Sequence, residues 1–323
     1  MWKFEPILKS LIWGGEKIAA FKGITTDRHA IGESWELSGL AGDESSVSSD
    51  EDRGMSLSAL IERDGAQLVG QANYARFGSE FPLLIKLIDA RCDLSIQVHP
   101  DDALARECHQ CRGKNEMWYV VGADEGARLR LGFNRPITAE EYEQSVSNDT
   151  IHELMSEYHI AEGEVYYIPA GRIHTIGAGA LLVEIQQTSN ITYRIYDYGR
   201  TDCDGKPRKL HTALAKRALD FGEQQECRIA YERSEDKTVR LLETPHFTTE
   251  LLELTRPYRL DLHTLDAFVI VVCTKGEGSL TTSDGRTMAI RRGETVLVPA
   301  SVTELQLSPT TSRCELLTTW CEG

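Results

Sequence analysis

At 323 residues the chain is long enough for about two domains, and its 41% hydrophobic and 26% charged residues belong to a soluble globular protein rather than a disordered or fibrous one. The formal net charge of −15 argues against nucleic acid or an anionic membrane as a bulk partner, and allows an anionic small substrate only where basic residues gather locally. No apolar stretch reaches the roughly 20 residues of a membrane span, the N-terminus lacks the features of a signal peptide, and the eight cysteines are too dilute for a disulfide scaffold; a cytoplasmic protein with reduced thiols is expected.

The first eighty residues mix short strands with the acidic, serine-rich "GDESSVSSDEDRG", which has almost nothing apolar to bury and reads as a solvated loop. "SLSALIERDGAQLVG" follows as a helix capped by Ser56. "FPLLIKLIDARCDLSIQVHP" reads as two strands around the turn residues "DARCD", and the helix-like "DDALARECHQC" separates them from the strand "EMWYVVG". Cys108 and Cys111 make a CxxC there, but no second pair follows at zinc-ribbon spacing, so they are expected to be two thiols on a helix. Residues 138–159 carry helical spacing with Thr138 as N-cap, which predicts a helical insert. From Gly163 to Tyr198 short strands alternate with turns, and "HTALAKRALDF" makes one further helix. The polar stretch from Gly222 to Lys237 is the best linker candidate, giving a first domain over 1–225 and a second over 226–323.

An internal echo supports that division. "GEVYYIPAGRIH" and "GETVLVPASVTE" share the form GExxxxPA, with Gly163/Gly293, Pro169/Pro299 and His174/Glu304 each 130 positions apart. Pro169 and Gly171 build a tight turn before His174, and this pattern resembles the second motif of the cupin superfamily. The expected fold is mainly β: two cupin-like jelly-roll barrels, with helical segments inserted in and packed on the N-terminal half, the first copy carrying a metal site and the second degenerate.

Strand alternation puts Gln97 and His99 on one face. With Glu116 and His174 they supply two imidazoles, a carboxylate and an amide oxygen, a set suited to a borderline divalent ion such as zinc. Taken singly, each has a plainer role: a hydrogen-bonded histidine, or an acid opening a strand. His109, His152, His159 and His211 lie in helix-like or surface segments, and His29, His246 and His263 show no partner, so these seven read as structural.

"LSIQVHPDD", "GKNEMWYVV", "IPAGRIHTIG" and "TYRIYDYGR" follow the order and rough spacing of type I mannose-6-phosphate isomerases, and the chain resembles the short bacterial form from "IGESWELSG" through "KLHTALAKRAL" and more weakly to the C-terminus. The resemblance implies a metal-dependent isomerase that interconverts mannose 6-phosphate and fructose 6-phosphate through a cis-enediol, with one zinc ion per chain on Gln97, His99, Glu116 and His174. Arg194 matches the family's catalytic arginine, and Lys114 and Glu184 match positions discussed as acid/base groups. Gly113 stands where longer members have a histidine before the lysine, so a His/Lys proton-transfer pair does not carry over. Glu184 is the first candidate for the base, but alternation does not say whether its face is the inner one, and a cross-strand ion pair is the other reading. Lys86, Ser95 and Arg200 are the candidates for substrate binding, while Arg194 in turn has a salt bridge to Asp197 as its plain alternative. A cupin dioxygenase and a non-catalytic sugar-sensing cupin are the competing functions.

Overall fold

The computed structural model describes residues 1–49, 52–201 and 204–322. Its strands form four main sheets, stacked in pairs as two sandwiches. In the first, a seven-stranded antiparallel sheet runs in the order Ile7–Gly15, Ile31–Leu37, Leu83–Asp89, Ala180–Gln187, Glu116–Ala123, Val165–Ile168 and Arg228–Ile229. It faces a five-stranded sheet ordered Tyr193–Tyr196, Ile96–Val98, His174–Ile176, Arg128–Phe133 and Met155–His159.

Alternation sorts the side chains of the larger sheet. Leu83, Ile85, Leu87, Met117, Tyr119, Val183 and Ile185 join a core behind it, while Ile88, Trp118, Val120, Tyr166 and Leu182 fill the interior between the two sheets. Because both faces are covered, the strands read as near-continuous apolar runs, and every residue of Leu83–Asp89 is buried. The core behind the sheet takes in the helix Leu57–Asp64, which Ser56 caps through its Oγ accepting from Ala59 N, and extends to Leu251, Phe268, Ile270 and Leu317 of the second sandwich. The helices Asp102–His109, Ala139–Ser147 and Thr212–Ala218 cover the outer face of the five-stranded sheet: Tyr142 and Ala215 share a cluster with Ile96, Val98 and Ile195, and Leu104 packs against it.

The second sandwich repeats the strand order. Thr238–Glu243, Thr248–Leu254, Cys314–Trp320, Val269–Lys275 and Thr295–Val298 form one sheet, and Tyr258–Asp261, Glu304–Pro309, Glu277–Thr282 and Thr287–Arg291 the other. Register makes the copies comparable residue by residue. Ile168 pairs with Glu116 as Val298 pairs with Val269, and His174 pairs with Gln97 as Glu304 pairs with Asp261. Asp261, His263, Val269 and Glu304 therefore stand where the first copy has Gln97, His99, Glu116 and His174.

Three expectations need correction. The helical insert over 138–159 is a nine-residue helix, Ala139–Ser147, with a Thr138/Glu141 capping box, followed by a 3₁₀ turn over Ile151–Leu154 and a strand, Met155–His159. Asp149, at φ 58°, takes the left-handed conformation that breaks the helical run. The acidic loop is less solvated than its composition predicts, since Ser45 and Val47 are buried, Val47 bridging Phe4; Asp50 and Glu51 of that loop, like Cys203, lie outside the described residues. The polar stretch from Gly222 to Lys237 is not wholly free chain, because Arg228–Ile229 pairs with Val165–Tyr166 and adds the seventh strand.

Candidate active site

The interior of the first sandwich holds a cleft of about 400 Å³ lined from both sheets. From the larger sheet comes a row of cross-strand neighbours, Trp35, Lys86, Glu184 and Trp118, in register across four strands. From the smaller come Arg194 and Gln97, whose row continues to the buried His174 behind the cleft wall. Neighbours in a row share a face. The face of Glu184 is thus the inner one, which alternation alone left open.

Against the end of the cleft that Gln97 and Lys114 line, and behind those two side chains, His99, Glu116 and His174 bring ligand atoms within 4.8 Å of one another, the only such group of three among the described residues. All three are buried, and the imidazole rings lie 4.7 Å apart, centroid to centroid. His99 Nδ1 lies 2.8 Å from the Ile191 carbonyl, and His174 Nδ1 lies 2.8 Å from the Arg172 carbonyl. A carbonyl only accepts, so each Nδ1 carries the proton and each Nε2 turns a lone pair toward the centre. Those lone pairs meet a carboxylate: His99 Nε2 is 3.5 Å from Glu116 Oε2 and His174 Nε2 is 3.5 Å from Glu116 Oε1. Glu116 Oε1 is buried without a hydrogen-bond partner.

Titration behaviour agrees with this geometry. Burial holds the His99 imidazole below its ordinary range, with Lys114 adding to it, and burial pushes His174 down to about 3. Burial pushes the Glu116 carboxyl up, but Lys114 and the two imidazoles outweigh it and hold the group well below the carboxylate range. Neutral imidazoles around an ionised carboxylate, with acceptors directed at one another, fit a divalent cation and would repel in its absence. Gln97 Nε2 lies 3.2 Å from His174 Nε2, while its amide oxygen lies 3.3 Å from Ser95 Oγ.

Two lysines and a second carboxylate adjoin the centre. Lys114 Nζ contacts Glu116, lies 3.3 Å from His99 Nε2, and stands 3.7 Å from Glu184 Oε1. Lys86 Nζ lies 3.2 Å from Glu184 Oε1 and 3.8 Å from Glu33. Burial lowers the Lys86 pKa, but Glu33, Glu184 and Glu116 outweigh it and raise the group. Trp118 Nε1 donates to Glu184 Oε2 at 2.9 Å.

The other end of the cleft is basic. Arg194 Nε faces Ser95 Oγ at 3.3 Å and its Nη1 donates to the Lys209 carbonyl at 3.0 Å, so its described contacts are neutral. The salt bridge that competed for it is taken: buried Asp197 is gripped by Arg200 and Arg208. Arg200, expected among the substrate-binding residues, instead gives its guanidinium to Asp197 and to the Asp93 carbonyl at 2.6 Å, and it does not line the cleft. Arg208, His211, Asn190 and Thr192 do line it, and the sequence reading missed all four. His211 Nδ1 accepts from Arg194 N at 3.2 Å. The one available signal was the basic run "KPRKL" after the arginine strand.

Elsewhere the ligand-type residues stay apart. In the second copy Glu304 pairs with Arg259, His263 and Asp261 are exposed, and Val269 is apolar, so no second centre gathers among the described residues. Cys108 and Cys111 likewise gain no third ligand.

Two stacked β-sandwiches with a buried two-histidine, one-glutamate group in the first define a metal-binding cupin protein. The family model for the phosphomannose isomerase type I catalytic domain matches residues 1–136, and that for the mannose-6-phosphate isomerase cupin domain matches residues 237–317. The chain is 32% identical over 307 residues to mannose-6-phosphate isomerase ManA of Bacillus subtilis, with 94% of each chain covered, and 30% identical over 296 residues to the mannose-6-phosphate isomerase of Streptococcus mutans, with 91% of each covered. The crystal structure of the B. subtilis mannose 6-phosphate isomerase superposes with a TM-score of 0.88 at 28% identity over 98% of each chain. The chain belongs to the type I phosphomannose isomerase family.

Proposed function

We propose that the chain interconverts mannose 6-phosphate and fructose 6-phosphate through a cis-enediol, with one zinc ion held by Gln97, His99, Glu116 and His174. The observation that carries this is a buried centre of converging acceptors in contact with Lys114, which lines one cleft together with Glu184 and Arg194. Bound zinc supplies Lewis-acid polarisation of neighbouring sugar oxygens, and an imidazole-carboxylate donor set suits that borderline ion. For Gln97 to join the set, its amide turns so that the oxygen replaces the nitrogen, an exchange that leaves its shape unchanged.

Moving a proton between C1 and C2 needs a base in the cleft wall. Glu184 is the first candidate, oriented by Trp118 and flanked by Lys86 and Lys114. Lys114, between the two carboxylates, neutralises charge on the sugar oxygens or relays the proton. Arg194, unclaimed by Asp197, offers a bidentate contact to an oxyanion or phosphate, and Arg208, Ser95 and Lys86 complete the substrate-binding set. The same reading makes a small sugar phosphate the partner and the cytoplasm the location; the seven described cysteines are all free, in keeping with a reducing compartment.

A coupled assay for fructose 6-phosphate formed from mannose 6-phosphate, run beside metal analysis, tests the reading. Turnover with about one zinc per chain is expected. Metal-replete, folded protein that fails to turn over mannose 6-phosphate would overturn it.

A further inference from the structure

The interior of the second sandwich holds its own cleft, of about 430 Å³, close to the 400 Å³ of the first. It lies in the equivalent place. The row Trp35, Lys86, Glu184 and Trp118 of the first copy corresponds, pairing for pairing, to Arg240, Glu250, Thr318 and Val271 of the second. A degenerate copy with no function would be expected to fill this space with apolar side chains, as the deeper interior is filled by Val269, Val271, Val298, Leu305 and Leu307. The cleft above them stays open and polar.

We infer that this second cleft binds an uncharged monosaccharide or similar polyol, without a metal and without turnover. The argument begins at Thr318. It is fully buried, it lines the cleft from the position that Glu184 occupies in the first copy, and its Oγ1 has no hydrogen-bond partner. A buried hydroxyl in that condition is satisfied by a ligand that both donates and accepts. Two residues on, Trp320 turns into the same space, and Tyr258 enters from the facing sheet. Both are half-buried, and beside the Arg240 guanidinium, which lies 5.6 Å from the Trp320 ring centroid, they offer apolar surface for the C–H face of a sugar ring.

The charges select against an anion. Arg240 is paired with Glu243 and, at 3.0 Å, with Glu250, and Arg259 is paired with Glu304. Each guanidinium is already neutralised, in contrast to Arg194 of the first cleft. Such pairs present donors and acceptors side by side, which suits vicinal hydroxyls better than phosphate. Catalysis is excluded by substitution: Thr318 replaces the Glu184 carboxylate, Glu250 replaces Lys86, and Val269 replaces the ligand Glu116.

The test uses the full zinc-loaded chain, with mannose and fructose as probes and binding read by titration calorimetry and ligand-observed NMR. The inference does not rest on the isomerase reading, and the variants keep the two clefts separate. Binding of at least one sugar should survive Arg194→Ala and weaken about tenfold or more in Trp320→Ala and in Thr318→Val, with turnover of mannose 6-phosphate unchanged in the latter two. Thr318→Val guards against misfolding: it removes the unpartnered hydroxyl while keeping the shape, so the unliganded protein should melt higher while binding weakens. No binding of either sugar, or binding abolished by Arg194→Ala and untouched by both second-cleft variants, would overturn the inference.

Discussion

Lys114 and a metal ion draw on the same acceptors. Its ammonium contacts Glu116 and lies 3.3 Å from His99 Nε2, with Glu184 3.7 Å away as the alternative partner. Lys114→Met should therefore bind zinc at least as tightly as the parent chain while losing about 10²–10⁴ in kcat, the range for a proton-transfer or charge-neutralising group. Weaker zinc binding in the variant would show that Lys114 supports the centre rather than competing for it. The two imidazoles give a prediction with a definite sign. Both are held below the ordinary value of 6.5, by burial first, and His174 falls to about 3. As pH drops below 6.5 the unfolded chain takes up protons that the folded chain refuses, so stability is full above that pH and drains away toward about 3. Metal-stripped protein should lose melting temperature steadily as pH is lowered from about 7 to about 5, and His174→Gln should flatten the slope; an unaltered slope would remove His174 as its cause. These residues were legible beforehand because chemistry and period coincide there: Gln97 and His99 alternate on a strand, and a turn delivers His174. Arg208 and His211 were not, since they reach the cleft from a loop, where no period marks the inner side.

At the scale of elements, the segment 113–116 shows why Lys114 stands where it does. Gly113 is pressed against the backbone that follows His99: a Cβ there would lie 2.6 Å from Asp101 C and Asp102 N and 2.9 Å from Pro100 O. Gly113 N donates to Asp102 Oδ1 at 2.8 Å and Lys114 N to the Pro100 carbonyl at 3.1 Å, tying the start of strand Glu116–Ala123 to the residues that carry His99. Position 113 has no room for a histidine or any other side chain here. Gly113→Ala should cost about 1–3 kcal/mol from overpacking and about 10²-fold in kcat as Lys114 and Glu116 shift, with the variant still folded. Activity equal to the parent would show that the two segments part without disturbing the centre. Strands were readable where one face meets solvent or a turn residue interrupts the run, and opaque where both faces are covered: all eight residues of Ala180–Gln187 are buried, so polarity does not tell inside from outside. The insert over 138–159 misled for the opposite reason. Its last four residues, 156–159, alternate half-buried and exposed as an edge strand, but helical spacing upstream masked the change of period.

The molecule as a whole is joined back to back. Tyr119, next to Trp118 but on the opposite face of the seven-stranded sheet, donates its hydroxyl to Glu315 of the second sandwich at 2.7 Å. Thr274 Oγ1 donates to the same carboxylate oxygen at 2.7 Å, and Arg233 Nη2 reaches the other at 2.6 Å. Burial first, and Glu315 second, push the tyrosine hydroxyl far up, in keeping with its role as donor to that carboxylate. Around this polar point the apolar core of one sandwich runs without interruption into that of the other: Ile85 and Val183 of the seven-stranded sheet pack in a single cluster with Phe268 and Leu317 of the second copy. Two units sharing a core of this kind unfold together. Tyr119→Phe leaves a buried carboxylate short of one donor, which costs about 1–3 kcal/mol. Because the lost hydroxyl faces away from the cleft, kcat and KM should stay at the parent values while calorimetry and tryptophan fluorescence report one transition, shifted equally. Two separated transitions, with only one of them displaced, would show that the sandwiches fold independently and that the second merely adjoins the first.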